Sequence, residues 1–339
     1  MSLKMNNSGI ISKITSADGI NYLNIGLMLI SLIAAYILPF EVFLFSYAVL
    51  GPLHYLTEIS WLEKKKYFIK SKNDIWLFVF FVVLVTVGIL NNKSKLSLLM
   101  GSFLFSGFVY ALILLYVEKL GTRLLLLFLV FFLSMLFGFN KAPNLHFIIF
   151  AVWLPTIIHV FIFTGAFILY GALKSKSTSG ILSLLVFLLC ALTVFIYIPD
   201  NFGISVSDYA KKAYSHFTAL NITLYNFFGF GNLKINDDAL YLSTKALAVM
   251  RFISFAYVYH YLNWFSKTTV IKWNQISKHR LTVIIVLWVL SVVLYIFSYK
   301  AGVYALLLLS LFHVFFEFPL NHQTFIGIGK ELKDIIIRR

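Results

Sequence analysis

Apolar stretches of near-membrane-spanning length recur along this chain from Ile20 to Leu320, broken only by short polar segments or by Gly, Pro and Asn. About twenty apolar residues in a helix cross roughly 30 Å of hydrocarbon. Lipid offers no partners to backbone N–H and C=O groups, so each crossing segment has to be a helix. Spans are expected near 20–40, 41–62, 75–91, 96–117, 122–139, 145–172, 180–198, 242–266, 281–298 and 302–320. The expected fold class is all-α, a polytopic transmembrane helix bundle of about ten helices. It forms a single integral membrane domain over 1–339.

Composition closes off the soluble alternatives. Of 339 residues, 60% are hydrophobic and only 12% charged, which excludes the two or three soluble domains that this length would otherwise imply. The net charge of +15 sits in brief runs between apolar spans, so it reads as membrane topology and not as a nucleic-acid surface. The segment 1–19 leads into a full-length span without a small-residue cleavage site, so no signal peptide is expected. Cys190 lies alone in an apolar run and offers neither a disulfide nor a thiolate cluster.

Lys and Arg are more than twice as abundant in the amino terminus, alternate connections and carboxyl terminus as on the opposite side, with a cluster at Lys64, Lys65, Lys66, Lys70 and Lys72. The positive-inside rule then makes both termini cytoplasmic, including a tail over 321–339, and makes the even-numbered spans run inward. The expected location is a multi-pass position in a bacterial cytoplasmic (inner) membrane. The long connection 199–241 is extracytoplasmic in this scheme, and its mixture of aromatic and polar residues predicts an interfacial helix. Lys267 to Arg280 predicts a short helix against anionic headgroups on the inner face.

Chemistry concentrates in the histidines. His146, His216 and His279 fall at span ends or in loops, where solvated roles suffice, and His322 sits where it can snorkel. His54, His159, His260 and His313 lie inside apolar helices, all on even-numbered spans that run in one direction. That places them at similar depth, able to share one layer. Ionisable residues inside a membrane are costly and mark functional sites, and imidazole suits zinc, copper and iron. Glu58 follows His54, and Glu317 follows His313, at the i,i+4 spacing that puts both on one helix face. Each glutamate can bind a metal or hold the free ring N–H of a ligating histidine, or take part in catalysis. Pro52, Pro155 and Pro319 each stand close to one of these histidines and are expected to interrupt the helix there.

Around His260, Tyr259, Asn263 and Trp264 are candidate substrate contacts. So is Arg251, about two and a half turns toward the outer side, where a cavity would admit substrate. The abundant aromatics, 36 Phe and 19 Tyr, suit a long apolar substrate and equally suit helix packing.

The four histidine segments, in order, resemble the Brp/Blh family of membrane β-carotene dioxygenases. Gly51-Pro52-Leu53-His54-Tyr55-Leu56-Thr57-Glu58 resembles that family's Gly-Leu-Pro-His-Gly-Ala-Leu-Asp segment. Ile157-Ile158-His159, Tyr259-His260 and Phe312-His313 with Glu317 are similar to its second, third and fourth. Thr164 stands where the family has an acid after its second histidine, and Trp264 where it has a further histidine. The resemblance implies a non-haem Fe(II) held by His54, His159, His260 and His313, with O₂ as co-substrate and a carotenoid or other isoprenoid as substrate.

The expected function is therefore an intramembrane oxygenase or related oxidoreductase acting on a lipid or isoprenoid, with iron or another divalent transition metal. Alternatives are a proton-coupled transporter using the same His/Glu layer as a relay, or a lipid transferase or non-catalytic subunit in which these groups join helices.

Overall fold

The computed structural model describes residues 16–65, 72–90, 99–140, 148–197, 199, 205–234 and 238–337. His146, Lys66 and Lys70 lie outside the described residues. Among those described there are helices and no strand. In chain order they are α1 (Ala17–Ile37), α2 (Pro39–Lys65), α3 (Lys72–Leu90), α4 (Met100–Tyr116), α5 (Leu120–Asn140), α6 (Ile148–Phe163 continuing as Thr164–Ser175) and α7 (Thr178–Ile196). The short α8 (Asp208–Tyr214), α9 (Thr218–Phe227) and α10 (Ala239–Leu242) follow, then α11 (Thr244–Ser266), the single turn α12 (Thr268–Ile271), α13 (Lys278–Phe297) and α14 (Tyr299–Ile337).

Six of these are long and apolar enough to cross a membrane: α1, α2, α6 from Val152, α7, α13 and α14. The apolar parts of α3, α4 and α5 are shorter. Local chemistry sets several starts. Serine caps α1, α7, α8 and α13, with Ser16, Ser177, Ser207 and Ser277 each accepting a backbone N–H from the first turn, which satisfies a donor that the helix leaves orphaned.

The expected breaks at proline are absorbed instead of ending helices. Pro52 follows a π-helical turn at Ser46–Leu50, and Pro155 lies within the π-helical Ile148–Phe163. The wider i→i+5 turn loosens the backbone where a proline ring would clash one turn back. α14 continues past Pro319 to Ile337, well beyond the expected end of the last span. Over 267–280 the expected short helix is the single turn α12, ended by Lys272 at a φ of 57°.

α11 is the axis of the bundle. It packs on α1, α2, α6, α7 and α9, and nearly all of its residues are buried, including Arg251, Ser254, His260 and Asn263. A helix enclosed by other helices needs no lipid-compatible surface, which is how α11 carries its polar groups without being among the six apolar spans. α13, at the periphery, buries only Ile284, Ser291 and Tyr295. Within the 199–241 connection, α8 packs on α2 and α9 on α11. Tyr214 and Asn221 there are fully buried, so these helices cover one end of the bundle.

Two hydrophobic clusters form the interior. One gathers α1, α2, α7 and α11; the other gathers α3, α4 and α14. Ile158 and Phe265 pack against both, so His159 stands at their junction.

Candidate metal centre

At that junction α2, α6, α11 and α14 each contribute one imidazole. His54 is 1%, His159 2%, His260 7% and His313 5% exposed, so water does not solvate them. The rings form a closed circuit, with centroid separations of 4.7 Å from His54 to His260, 4.9 Å to His159, 4.9 Å to His313 and 5.4 Å back to His54. His54 Nε2 faces His260 Nε2 at 3.0 Å, and His313 Nε2 faces His159 Nε2 at 3.1 Å.

Both glutamates close on this circuit, and the pairing is not simply along the chain. Glu58 Oε2 is 3.1 Å from His54 Nε2, as the i,i+4 spacing implies. Glu317 Oε2 instead lies 2.9 Å from His159 Nδ1 on a different helix. His260 Nδ1 is 2.9 Å from Thr164 Oγ1, so Thr164 orients the ring. Thr57 backs the layer, accepting from Trp264 Nε1 at 2.9 Å.

Whether such a donor set fits a metal can be judged from its unmet needs. His54 Nδ1, His159 Nδ1, His313 Nδ1, Glu58 Oε2 and Glu317 Oε2 are buried without a hydrogen bond of acceptable geometry, although two of these contacts are short. Leaving a buried polar atom unsatisfied costs about 1–3 kcal/mol. No lysine or arginine pairs with either carboxylate among the described residues. A buried carboxyl group without a counter-charge takes up a proton or coordinates a metal. One ligand nitrogen each from His54, His159 and His313 can be chosen so that all lie within 4.8 Å of one another. Nitrogens held by one ion at about 2.1 Å in tetrahedral geometry stand about 3.4 Å apart, so the rings would close by up to about 1.4 Å around it. His260 is not in that trio and joins it through His54. The residues present fit a divalent transition metal.

A cavity of about 460 Å³ opens beside His54, His260, Glu58 and Glu317 and runs past Tyr259, Asn263 and Trp264. Tyr259 Oη donates to Asn24 Oδ1 at 3.2 Å and to Asn263 Oδ1 at 3.4 Å. Three of the four expected substrate contacts therefore line a cavity. The fourth does not: Arg251 is fully buried, donates from Nη1 to Pro199 O at 3.1 Å and lies over the Tyr36 ring at 5.1 Å. Arg251 is not among the residues that line this cavity. The cavity follows the half of α11 from Tyr259 to Lys267.

His322 bonds Tyr116 through Nε2 at 2.7 Å, His216 stands near Tyr304, and His279 is exposed. None of these joins the cluster. No motif in the sequence assigns a role to Thr164, Thr57, Asn24 or Lys267, and Thr164, Asn24 and Lys267 line the cavity. Hydroxyls and amides near a buried histidine's turn are the available signal, but it does not say which helix they face.

No family model, curated protein or solved structure matches this chain.

Proposed function

We propose that this protein is an intramembrane metalloenzyme that oxidises an apolar lipid or isoprenoid with O₂. The observation that carries the reading is the meeting of four buried imidazoles with two buried carboxylates that have no counter-cation among the described residues. His54, His159 and His313 would hold the metal, His260 would complete or adjust the set, and Glu58 and Glu317 would bind it or fix ring orientation. A bound ferrous ion supplies the one-electron chemistry that dioxygen needs to react with a closed-shell hydrocarbon. The resemblance of the histidine segments to the Brp/Blh dioxygenases favours iron over zinc.

The chain's own residues perform the rest. Thr164 holds the His260 ring in orientation through Nδ1, and Trp264 and Tyr259 wall the cavity in which an apolar chain would lie beside the imidazoles. Burial excludes bulk water from the layer, which strengthens charge interactions there and protects reactive species from hydrolysis. In the topology that belongs to this reading, α1–α7, α11, α13 and α14 are ten crossings with both termini cytoplasmic, and the cavity opens toward the cytoplasmic face.

Metal analysis of detergent-purified full-length protein is the test. Near-stoichiometric iron is expected, lost in His54→Ala and His313→Ala but retained in His216→Ala. Metal-free wild type that carries protons in liposomes would replace the enzyme with the carrier.

A further inference from the structure

The cavity beside the histidines is chemically polarised. His54, His260, Glu58 and Glu317 line it on one side, and the rest of the lining is largely apolar, with Ile20, Trp61, Phe167 and Ile168 beside the neutral polar Asn21, Asn24, Ser175 and Ser183. Lys267 stands apart from the histidines, about 10 Å from His260 at a helical rise of about 1.5 Å per residue. It is the one cation among the described lining residues, it is half-buried, and no carboxylate pairs with it among the described residues. Burial lowers its ammonium below the usual lysine range. Between His260 and Lys267 along the chain, Asn263 is 8% exposed and uses Oδ1 to accept from Tyr259, and its Nδ2 has no partner among the described residues.

A half-buried ammonium without a counter-charge calls for an anion. A purely hydrocarbon substrate has nothing to place there. We propose that the cavity takes a single-chain amphiphile whose anionic head, a carboxylate or a phosphate, pairs with Lys267 and Asn263 while its apolar chain extends to the histidine layer. This inference deepens the enzyme reading and rests on it for what happens at the far end of the chain; recognition of the head does not require the metal. Fixed separation of Lys267 from the imidazoles makes the pair a ruler, so the position oxidised is counted from the head.

The test uses full-length protein in neutral detergent, titrated with hexadecanoic acid, hexadecyl phosphate and hexadecanol, each brominated at the same mid-chain carbon. Quenching of Trp61 and Trp264, both lining the cavity, reports binding, and a Trp61→Phe/Trp264→Phe variant corrects for the other tryptophans. The anions should bind at least tenfold more tightly than the alcohol. Lys267→Ala should bring them to the alcohol's level without weakening the alcohol, and Lys267→Arg should retain most of the preference; Lys267→Gln serves if the alanine variant does not fold. Stronger binding of one anion identifies the head and supports the proposal either way. Equal binding of alcohol and anions overturns it, as does anion binding that Lys267→Ala leaves unchanged or Lys272→Ala reduces equally. Anion selectivity persisting in metal-free His54→Ala keeps the head site if the metal reading fails. Metal retained in wild type without anion selectivity does the reverse.

Discussion

At His260 the two ring nitrogens are engaged on opposite sides, Nε2 against His54 and Nδ1 against Thr164 Oγ1. The second contact fixes the angle of a ring that would otherwise rotate about its side-chain bonds. Thr164→Val keeps the shape and removes the hydroxyl. Metal affinity should fall by roughly 10–100-fold, the usual effect of losing a residue that orients a ligand, while Thr164→Ser should restore most of it; chelator competition measures both. Glu317 offers a parallel case. Its carboxylate meets His159 across helices, so Glu317→Gln should also weaken metal binding, and Glu331→Gln on the same helix should not. An unchanged affinity in Glu317→Gln would assign that carboxylate to packing alone.

Helices approach one another most closely where small residues meet. Gly180, in the first turn of α7, leaves room for Ala172 of α6: a Cβ there would lie 2.8 Å from Ala172 Cβ and 3.0 Å from its Cα. Lipid supplies no hydrophobic driving force between helices, so such contacts hold the bundle through dispersion and fit. Gly180→Ala should therefore destabilise by about 1–3 kcal/mol, the ordinary cost of overpacking. Gly26→Ala in α1 meets nothing within 4 Å and should be neutral or slightly stabilising, since alanine favours a helix interior over glycine by about 1 kcal/mol. Thermal unfolding in detergent separates the two, and equal effects would contradict the close approach of α6 and α7. The π-helical stretch around Pro155 belongs to the same scale. It contains His159 and ends just before Thr164, and so helps decide which way those side chains face.

For the whole molecule the proposed topology is testable without any knowledge of substrate. Lys174 ends α6 and Lys212 lies in α8, with α7 between them. In a Cys190→Ala background, Lys174→Cys should react with a membrane-impermeant maleimide only from the cytoplasmic side and Lys212→Cys only from the opposite side. Reversed labelling would invert the orientation; same-side labelling would remove α7 as a crossing. The buried cation Arg251 contributes at this scale as well. Its bond to Pro199 O ties the end of the α7 region to the central helix α11, at the end of the bundle away from the cavity. Arg251→Leu should therefore lower thermal stability and leave metal content unchanged.

Length and apolarity are local properties, so the sequence alone determined that the chain is helical, where most of the helices run, and which ionisable residues are drawn into their interiors. It also placed Glu58 beside His54, because an i,i+4 pair on one helix needs no other element. What it did not determine is how each helix is rotated and tilted, since packing against neighbours sets both. That rotation brings Glu317 to His159, Thr164 to His260 and Lys267 into the cavity, and it encloses Arg251 away from them. α11 is the clearest instance: its sequence is too polar to rank with the apolar spans, and only the surrounding helices make it the centre of the fold.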